Sequence, residues 1–95
     1  MPRIAPMAFV NLRAPLRDLA GGNGRLDLDG ETVGALLRKL EHDHPRIKGW
    51  ILDEQGKVRT HVSVFVNGER TREDTPIAPD DVVHVLPSIS GGAST

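Results

Sequence analysis

Residues 31–43, ETVGALLRKLEHD, have the most regular apolar spacing in this chain. Four apolar side chains recur at positions i, i+3, i+4 and i+7, which places them on one face of an α-helix. They are Val33, Leu36, Leu37 and Leu40. Asp29 or Thr32 can cap the N-terminus of this helix, and Pro45 disfavours helical geometry at His44, so the helix is expected to end there. A single amphipathic helix needs an apolar surface to cover.

Alternating residues before the helix predict the first part of that surface. Met7–Arg13 alternates apolar and polar side chains until Pro15 interrupts it, and Arg25–Asp29 alternates again. The glycine-rich stretch Gly21–Gly24 lies between them and is typical of a turn. We therefore predict an N-terminal β-hairpin.

Alternation after the helix predicts three further strands. His61–Gly68 is the clearest of them, and Asn67-Gly68 at its end is a strong hairpin signal that returns the chain through Glu69–Thr71. Val82–Leu86 forms a last strand, which Pro87 terminates.

One helix and four or five strands define an α+β fold. A mixed four- to five-stranded sheet packed on one main helix is the layout of a β-grasp, or ubiquitin-like, roll, although the pattern also permits other small α+β arrangements. We expect residues 1–87 to form this domain and residues 88–95 to form a flexible C-terminal tail.

Composition excludes several classes of function. The chain has 95 residues, enough for one domain, and a formal net charge of −1. That charge gives no electrostatic reason to expect a nucleic-acid or membrane partner. Cysteine is absent, so disulfides, thiolate metal ligands and a thiol nucleophile are excluded. A cytoplasmic protein is the expectation.

Strand alternation also predicts an exposed apolar patch. If the valines of the strand at 61–68 face the helix, Phe65 lies on the opposite face of the sheet. The same argument places His84 and Leu86 outward in the last strand, beside Ile89 of the tail. We predict that these residues form a partner surface, with ordinary surface or dimer packing as the alternative. Trp50 is expected in the core or at its edge.

Two clusters of polar residues resemble sites but have simpler explanations. His42-Asp43-His44 spans the predicted helix end, where the two imidazoles point in different directions, so no metal site is expected. Asp80-Asp81 is interpreted as a turn before the last strand rather than as a catalytic pair.

The residues that carry a family resemblance are 81–92, DVVHVLPSISGG. An acidic turn, a strand, a proline and a short tail ending in Gly-Gly resemble the C-terminal end of the MoaD/ThiS sulfur-carrier family. The hairpin at 64–68 and the helix at 32–43 have the spacing of that family, so the resemblance covers about residues 8–92. The ending is most similar to the CysO-type carriers.

The resemblance implies a carrier rather than an enzyme. An adenylating partner enzyme would activate the Gly92 carboxylate with ATP and Mg²⁺, and a sulfur donor would then convert it to a thiocarboxylate for a sulfur-accepting synthase. The domain itself would bind no cofactor. Ile89 and Gly91 would belong to the tail that enters the partners' active sites, because glycine leaves the terminal carbonyl unhindered.

The sequence departs from the family pattern after its second glycine. Ala93-Ser94-Thr95 follows Gly92, so we expect cleavage between Gly92 and Ala93, and the resemblance implies a JAMM-type zinc metalloprotease as the processing enzyme. An inert extension is the alternative. Two other functions stay open, namely a ubiquitin-like modifier conjugated to lysines through Gly92 and a non-covalent interaction module.

Overall fold

The computed structural model describes residues 7–87, which form five strands and two helices. In chain order these are β1 (Met7–Leu12), α1 (Leu16–Leu19), β2 (Arg25–Asp29), α2 (Val33–Asp43), β3 (Val62–Val66), β4 (Glu69–Thr71) and β5 (Val82–Pro87). A single 3₁₀ turn, Pro45–Ile47, follows α2.

The strands form one mixed sheet in the order β2-β1-β5-β3-β4. β5 lies between β1 and β3, parallel to the first and antiparallel to the second, and the other pairs are antiparallel hairpins. The predicted β-grasp roll is therefore confirmed, with the last strand in the middle of the sheet.

Helix α2 begins where its cap predicts. Thr32 Oγ1 accepts a hydrogen bond from the backbone N–H of Ala35 at 3.1 Å, so Thr32 rather than Asp29 is the N-cap. Asp29 instead pairs with Lys39, with 2.8 Å between Asp29 Oδ1 and Lys39 Nζ. The helix ends at Asp43, two residues before Pro45.

The core lies between α2 and the inner face of the sheet. Its central side chains are fully buried or nearly so: Val10, Val33, Leu36, Leu37, Leu40, Val64, Val83 and Val85. Burying each such side chain stabilises the fold by about 1.5–3 kcal/mol. The two predicted apolar patterns, period 3.6 in α2 and period 2 in the strands, therefore meet in one core.

A glycine in α2 lets the chain before β5 pack closely on the helix. The backbone N–H of Gly34 donates to the Glu73 carbonyl at 2.8 Å, and a Cβ on Gly34 would lie 2.9 Å from that oxygen. A side chain at position 34 would push the segment after β4 away from α2.

The structure differs from the sequence prediction at two places. Helix α1, in the connection between β1 and β2, was not predicted, and its Leu16 is fully buried. The prediction for Trp50 is wrong, because its side chain is 43% exposed. Ile47 and Ile51 take the buried positions instead, and Gly49, with φ of +87°, reverses the chain between them.

Glu41 fixes the loop that follows Trp50. Its Oε2 accepts hydrogen bonds from the backbone N–H groups of Ile51 and Leu52, at 3.1 and 3.0 Å. Both of these residues are buried, so the carboxylate satisfies two amides that water does not reach easily.

Candidate functional site

The face of the sheet opposite α2 carries one continuous row of side chains across all five strands. From β2 to β4 the paired positions are Arg25, Asn11, His84, Phe65 and Arg70. Paired residues project from the same face, so these five side chains are neighbours. An arginine lies at each end of the row, and the imidazole and the aromatic ring lie near its centre.

Apolar side chains lie beside this row. Phe9 of β1 pairs with Val82 of β5, and the Arg25 guanidinium lies 4.7 Å from the centroid of the Phe9 ring, a cation–π distance. Leu86 lies opposite Ser63, two residues beyond His84 on the same strand. We call Phe9, Phe65, Val82, His84 and Leu86 the outer-face patch. All five are partly exposed.

The structure places the three predicted surface residues on one face of the sheet. Phe65 and His84 are direct cross-strand partners, and Leu86 lies further along β5. The sequence prediction did not include Phe9, although alternation with the buried Val10 would have put it on the same face. Its membership depends on β1 lying next to β5, which no local pattern indicates.

The beginning of β5 is held by side-chain hydrogen bonds. Asn67 Nδ2 donates to Asp81 Oδ1 at 2.8 Å, and Asn67 Oδ1 accepts from the backbone N–H of Val82 at 3.0 Å. Asp81 Oδ2 accepts from the N–H of Ala78 at 2.8 Å. Asp81 therefore has the predicted turn role, and the β3–β4 hairpin and the start of β5 are tied together.

The end of β5 leads to the predicted tail. Pro87 is the last described residue and pairs with Val62 of β3. Ile89, Gly91, Gly92 and Ala93, to which the sequence assigns the tail and the cleavage site, lie outside the described residues.

Local hydrogen bonds lower the pKa values of two carboxyl groups, Asp29 and Asp53. A hydrogen bond from Lys39, together with its charge, lowers the pKa of the Asp29 carboxyl below its usual value. The backbone N–H of Lys57 donates to Asp53 Oδ1 at 3.0 Å and is the main cause that lowers the pKa of that carboxyl. Both are partners in local hydrogen bonds.

Metal and membrane features can be assessed within residues 7–87. This part of the chain contains no group of three or more histidine, aspartate or glutamate side chains placed to hold a metal ion. Its helices include none long and apolar enough to cross a bilayer.

Comparison with known proteins gives a family match over most of the chain. The model of the ThiS family matches residues 10–92. The sulfur carrier protein CysO of Mycobacterium tuberculosis is 33% identical over 89 residues, covering 87% of this chain and 96% of CysO. The small archaeal modifier protein 1 of Haloferax volcanii is 34% identical over 83 residues, covering 85% of this chain and 95% of that protein.

A solved structure extends the likeness to the fold. The crystal structure of the Amycolatopsis orientalis BexX/CysO complex contains a chain with a TM-score of 0.80 and 26% identity. The match covers 90% of this chain and 99% of that one. These relatives are small carrier or modifier proteins rather than enzymes.

Proposed function

This chain belongs to the ThiS family, and on that premise we propose that it is a sulfur carrier whose Gly92 carboxylate is converted to a thiocarboxylate. The observation that carries the proposal is the extent of the family match, which ends at Gly92, the second residue of the Gly91-Gly92 pair. Whatever follows Gly92, here at least Ala93–Thr95, must then be removed to free its carboxylate.

The chemistry follows from the weakness of a carboxylate as an electrophile. An adenylating enzyme transfers AMP from ATP to the Gly92 carboxylate, releasing pyrophosphate with the help of Mg²⁺. A sulfur donor then forms a carbon–sulfur bond at the acyl carbon, and AMP leaves with the electron pair of the broken carbon–oxygen bond. The thiocarboxylate is ionised at neutral pH and is a strong nucleophile for the accepting synthase, as thiolates are.

This chain supplies position rather than catalysis. Its tail follows β5, which is paired on both sides within the sheet, so the residue before the tail is held by a rigid element. The outer-face patch supports a docking role beside it, because partly exposed aromatic rings flanked by arginines are typical of binding hot spots. We assign the adenylating enzyme as the partner of this patch.

Intact-mass spectrometry tests the sulfur chemistry. The full chain is incubated with extract of the source cells, ATP and a sulfide donor. We expect loss of the mass of residues 93–95, followed by the replacement of one oxygen by one sulfur. A Gly92→Ala variant tests the site of cleavage and loading. If the wild-type chain persists uncleaved, or gains sulfur elsewhere, the proposal is wrong.

A pair of aromatic substitutions tests the docking surface. Phe65→Ala removes a ring from the outer-face patch, whereas Trp50→Ala removes an exposed ring from the loop that follows α2. We expect Phe65→Ala to weaken binding of the adenylating enzyme about tenfold or more and Trp50→Ala to change it little. Equal binding by both variants, with normal circular dichroism, refutes the docking role.

The modifier function is the second candidate, because a small archaeal modifier protein is as similar to this chain as CysO is. Both functions begin with adenylation of Gly92 and differ in the acceptor. Lysine capture gives isopeptide-linked products of higher mass, whereas sulfur transfer gives a free chain with a thiocarboxylate. Electrophoresis of tagged chain from cells, followed by peptide mass spectrometry, distinguishes them.

A further inference from the structure

A groove runs along the edge of the sheet where β4 ends before β3 does. β4 pairs with Val64, Phe65 and Val66 only, and beyond it the backbone N–H of Val62 donates to the Arg59 carbonyl at 3.0 Å. The groove has a volume of about 710 Å³, and Val62 and Val64 form part of its wall. Arg70, which lines the groove, pairs with Phe65, so the groove adjoins the outer-face patch.

The wall of this groove is strongly basic. Lys57, Arg59, Arg70 and Arg72 line it, against the single carboxylate of Glu73. Glu73 Oε1 accepts from the backbone N–H of Val58 at 2.9 Å, and no ion pair joins any of the four cations to a carboxylate within the described part of the chain. The charges of Arg59 and Lys57 also help to lower the pKa of the nearby Asp53 carboxyl. Four cations against the carboxylates of Glu73 and Asp53 leave two net positive charges here, in a chain whose net charge is −1.

Arg59 adds an independent observation. Its Nε is buried and has no hydrogen-bond partner among residues 7–87. A buried hydrogen-bond donor without a partner lowers the stability of the fold. The Nε and Nη groups of a guanidinium can together donate to the two oxygens of one carboxylate. An incoming carboxylate would satisfy a donor that this part of the chain leaves without a partner.

We infer that this groove binds an extended, acidic segment of a partner protein. The segment would bind through its side chains rather than as an added strand, because the Val62 N–H is already bonded to the Arg59 carbonyl. Its carboxylates would face the four cations. Single-stranded nucleic acid fits less well, because no aromatic side chain lines the groove for base stacking.

The groove also lies next to the strand that leads to the tail. Val62, in the groove wall, pairs on its other side with Pro87. A partner that holds an acidic segment here is therefore one strand away from the end of β5. The inference itself does not rest on sulfur chemistry, because it concerns binding by the unmodified chain.

Nuclear magnetic resonance of the full-length, ¹⁵N-labelled chain tests the inference. The probe is a short synthetic peptide of alternating glutamate and valine, blocked at both ends, with a lysine–valine peptide as its control. We expect shifts of the backbone amides of Val62, Val64 and Thr71 with the acidic peptide only. We also expect the affinity to fall as salt is raised.

Matched charge reversals locate the site. Lys57→Glu/Arg72→Glu reverses two exposed cations of the groove, and Arg46→Glu/Lys48→Glu reverses the same two residue types on the exposed loop after α2. We expect the first variant to weaken peptide binding about tenfold or more and the second to change it less than about twofold.

Several results would overturn the inference. They are an absence of shifts, shifts spread over the whole surface, or equal weakening by the two double variants. Stronger perturbation of the same amides by inorganic phosphate would indicate a small-anion site instead. Stronger perturbation by a single-stranded RNA oligonucleotide would indicate a nucleic-acid site.

Discussion

Exchange of Asn67 for glycine and for alanine tests how the beginning of β5 is anchored. Asn67 has a φ of +53°, in the left-handed region, and its side chain makes one hydrogen bond to Asp81 and one to the N–H of Val82. Both substitutions remove both hydrogen bonds. Only glycine also adopts the left-handed conformation without a steric cost.

The expected magnitudes follow from these two contributions. Each lost hydrogen bond costs about 1 kcal/mol, so Asn67→Gly should lower the free energy of unfolding by about 2 kcal/mol. In the folded state, alanine at this φ costs a further ~1–2 kcal/mol relative to glycine. In the unfolded state, the glycine variant is more flexible, which costs that variant ~0.4–1 kcal/mol relative to alanine and so reduces the difference. Asn67→Ala should therefore be the less stable variant by about 0.8 kcal/mol, with an upper limit of about 1.6 kcal/mol.

Urea denaturation followed by far-ultraviolet circular dichroism measures the difference. Arg38 is an exposed position in α2 and serves as the control, because there alanine should be more stable than glycine by about 1 kcal/mol. The two positions should thus rank alanine and glycine in opposite orders. If Asn67→Ala is as stable as Asn67→Gly or more stable, the left-handed backbone at position 67 imposes no steric cost on alanine and the reasoning is refuted.

Three further substitutions test other parts of the fold by the same denaturation assay. Glu41→Ala should cost about 2–4 kcal/mol, because it leaves two buried amides without an acceptor, whereas the exposed Glu54→Ala should cost less than about 0.5 kcal/mol. Gly34→Ala should destabilise by about 1–3 kcal/mol despite the helix preference of alanine, and a neutral effect would contradict the close packing on Glu73. The pKa of Asp53 is lowered on folding, so its stabilising contribution is complete above its unfolded value and is lost as pH falls through the folded value. Asp53→Asn should therefore lose less stability than the wild type between pH 7 and about pH 3, and parallel pH profiles would argue against this role.

The elements with one buried face were predictable from the sequence. The apolar spacing of α2 and the alternation of β3 and β5 gave their inner faces correctly, because each side chain's direction follows from the period of its own element. The same logic placed Phe65, His84 and Leu86 on the outer face. Local periodicity was therefore sufficient to predict which face of a single helix or strand is buried.

Relations between distant elements were not predictable in this way. Phe9 joins the outer-face patch because β5 inserts beside β1, and the basic groove exists because β4 is shorter than β3. Trp50 was misplaced because apolar character alone does not distinguish it from Ile47 and Ile51, which are buried on either side of the left-handed Gly49. Each outcome depends on a pairing or a backbone reversal that composition does not encode.

The central position of β5 has a consequence for the timing of assembly. β1 and β5 come from opposite ends of the described chain, so their pairing closes the longest loop in the fold and adds to its contact order. Until β5 inserts, a gap separates β1 from β3, and Phe9 and Phe65 have no strand to bridge them. The outer-face patch therefore exists only in molecules that have finished folding. A partner that recognises this patch therefore binds fully folded chains and not chains in which β5 has yet to insert.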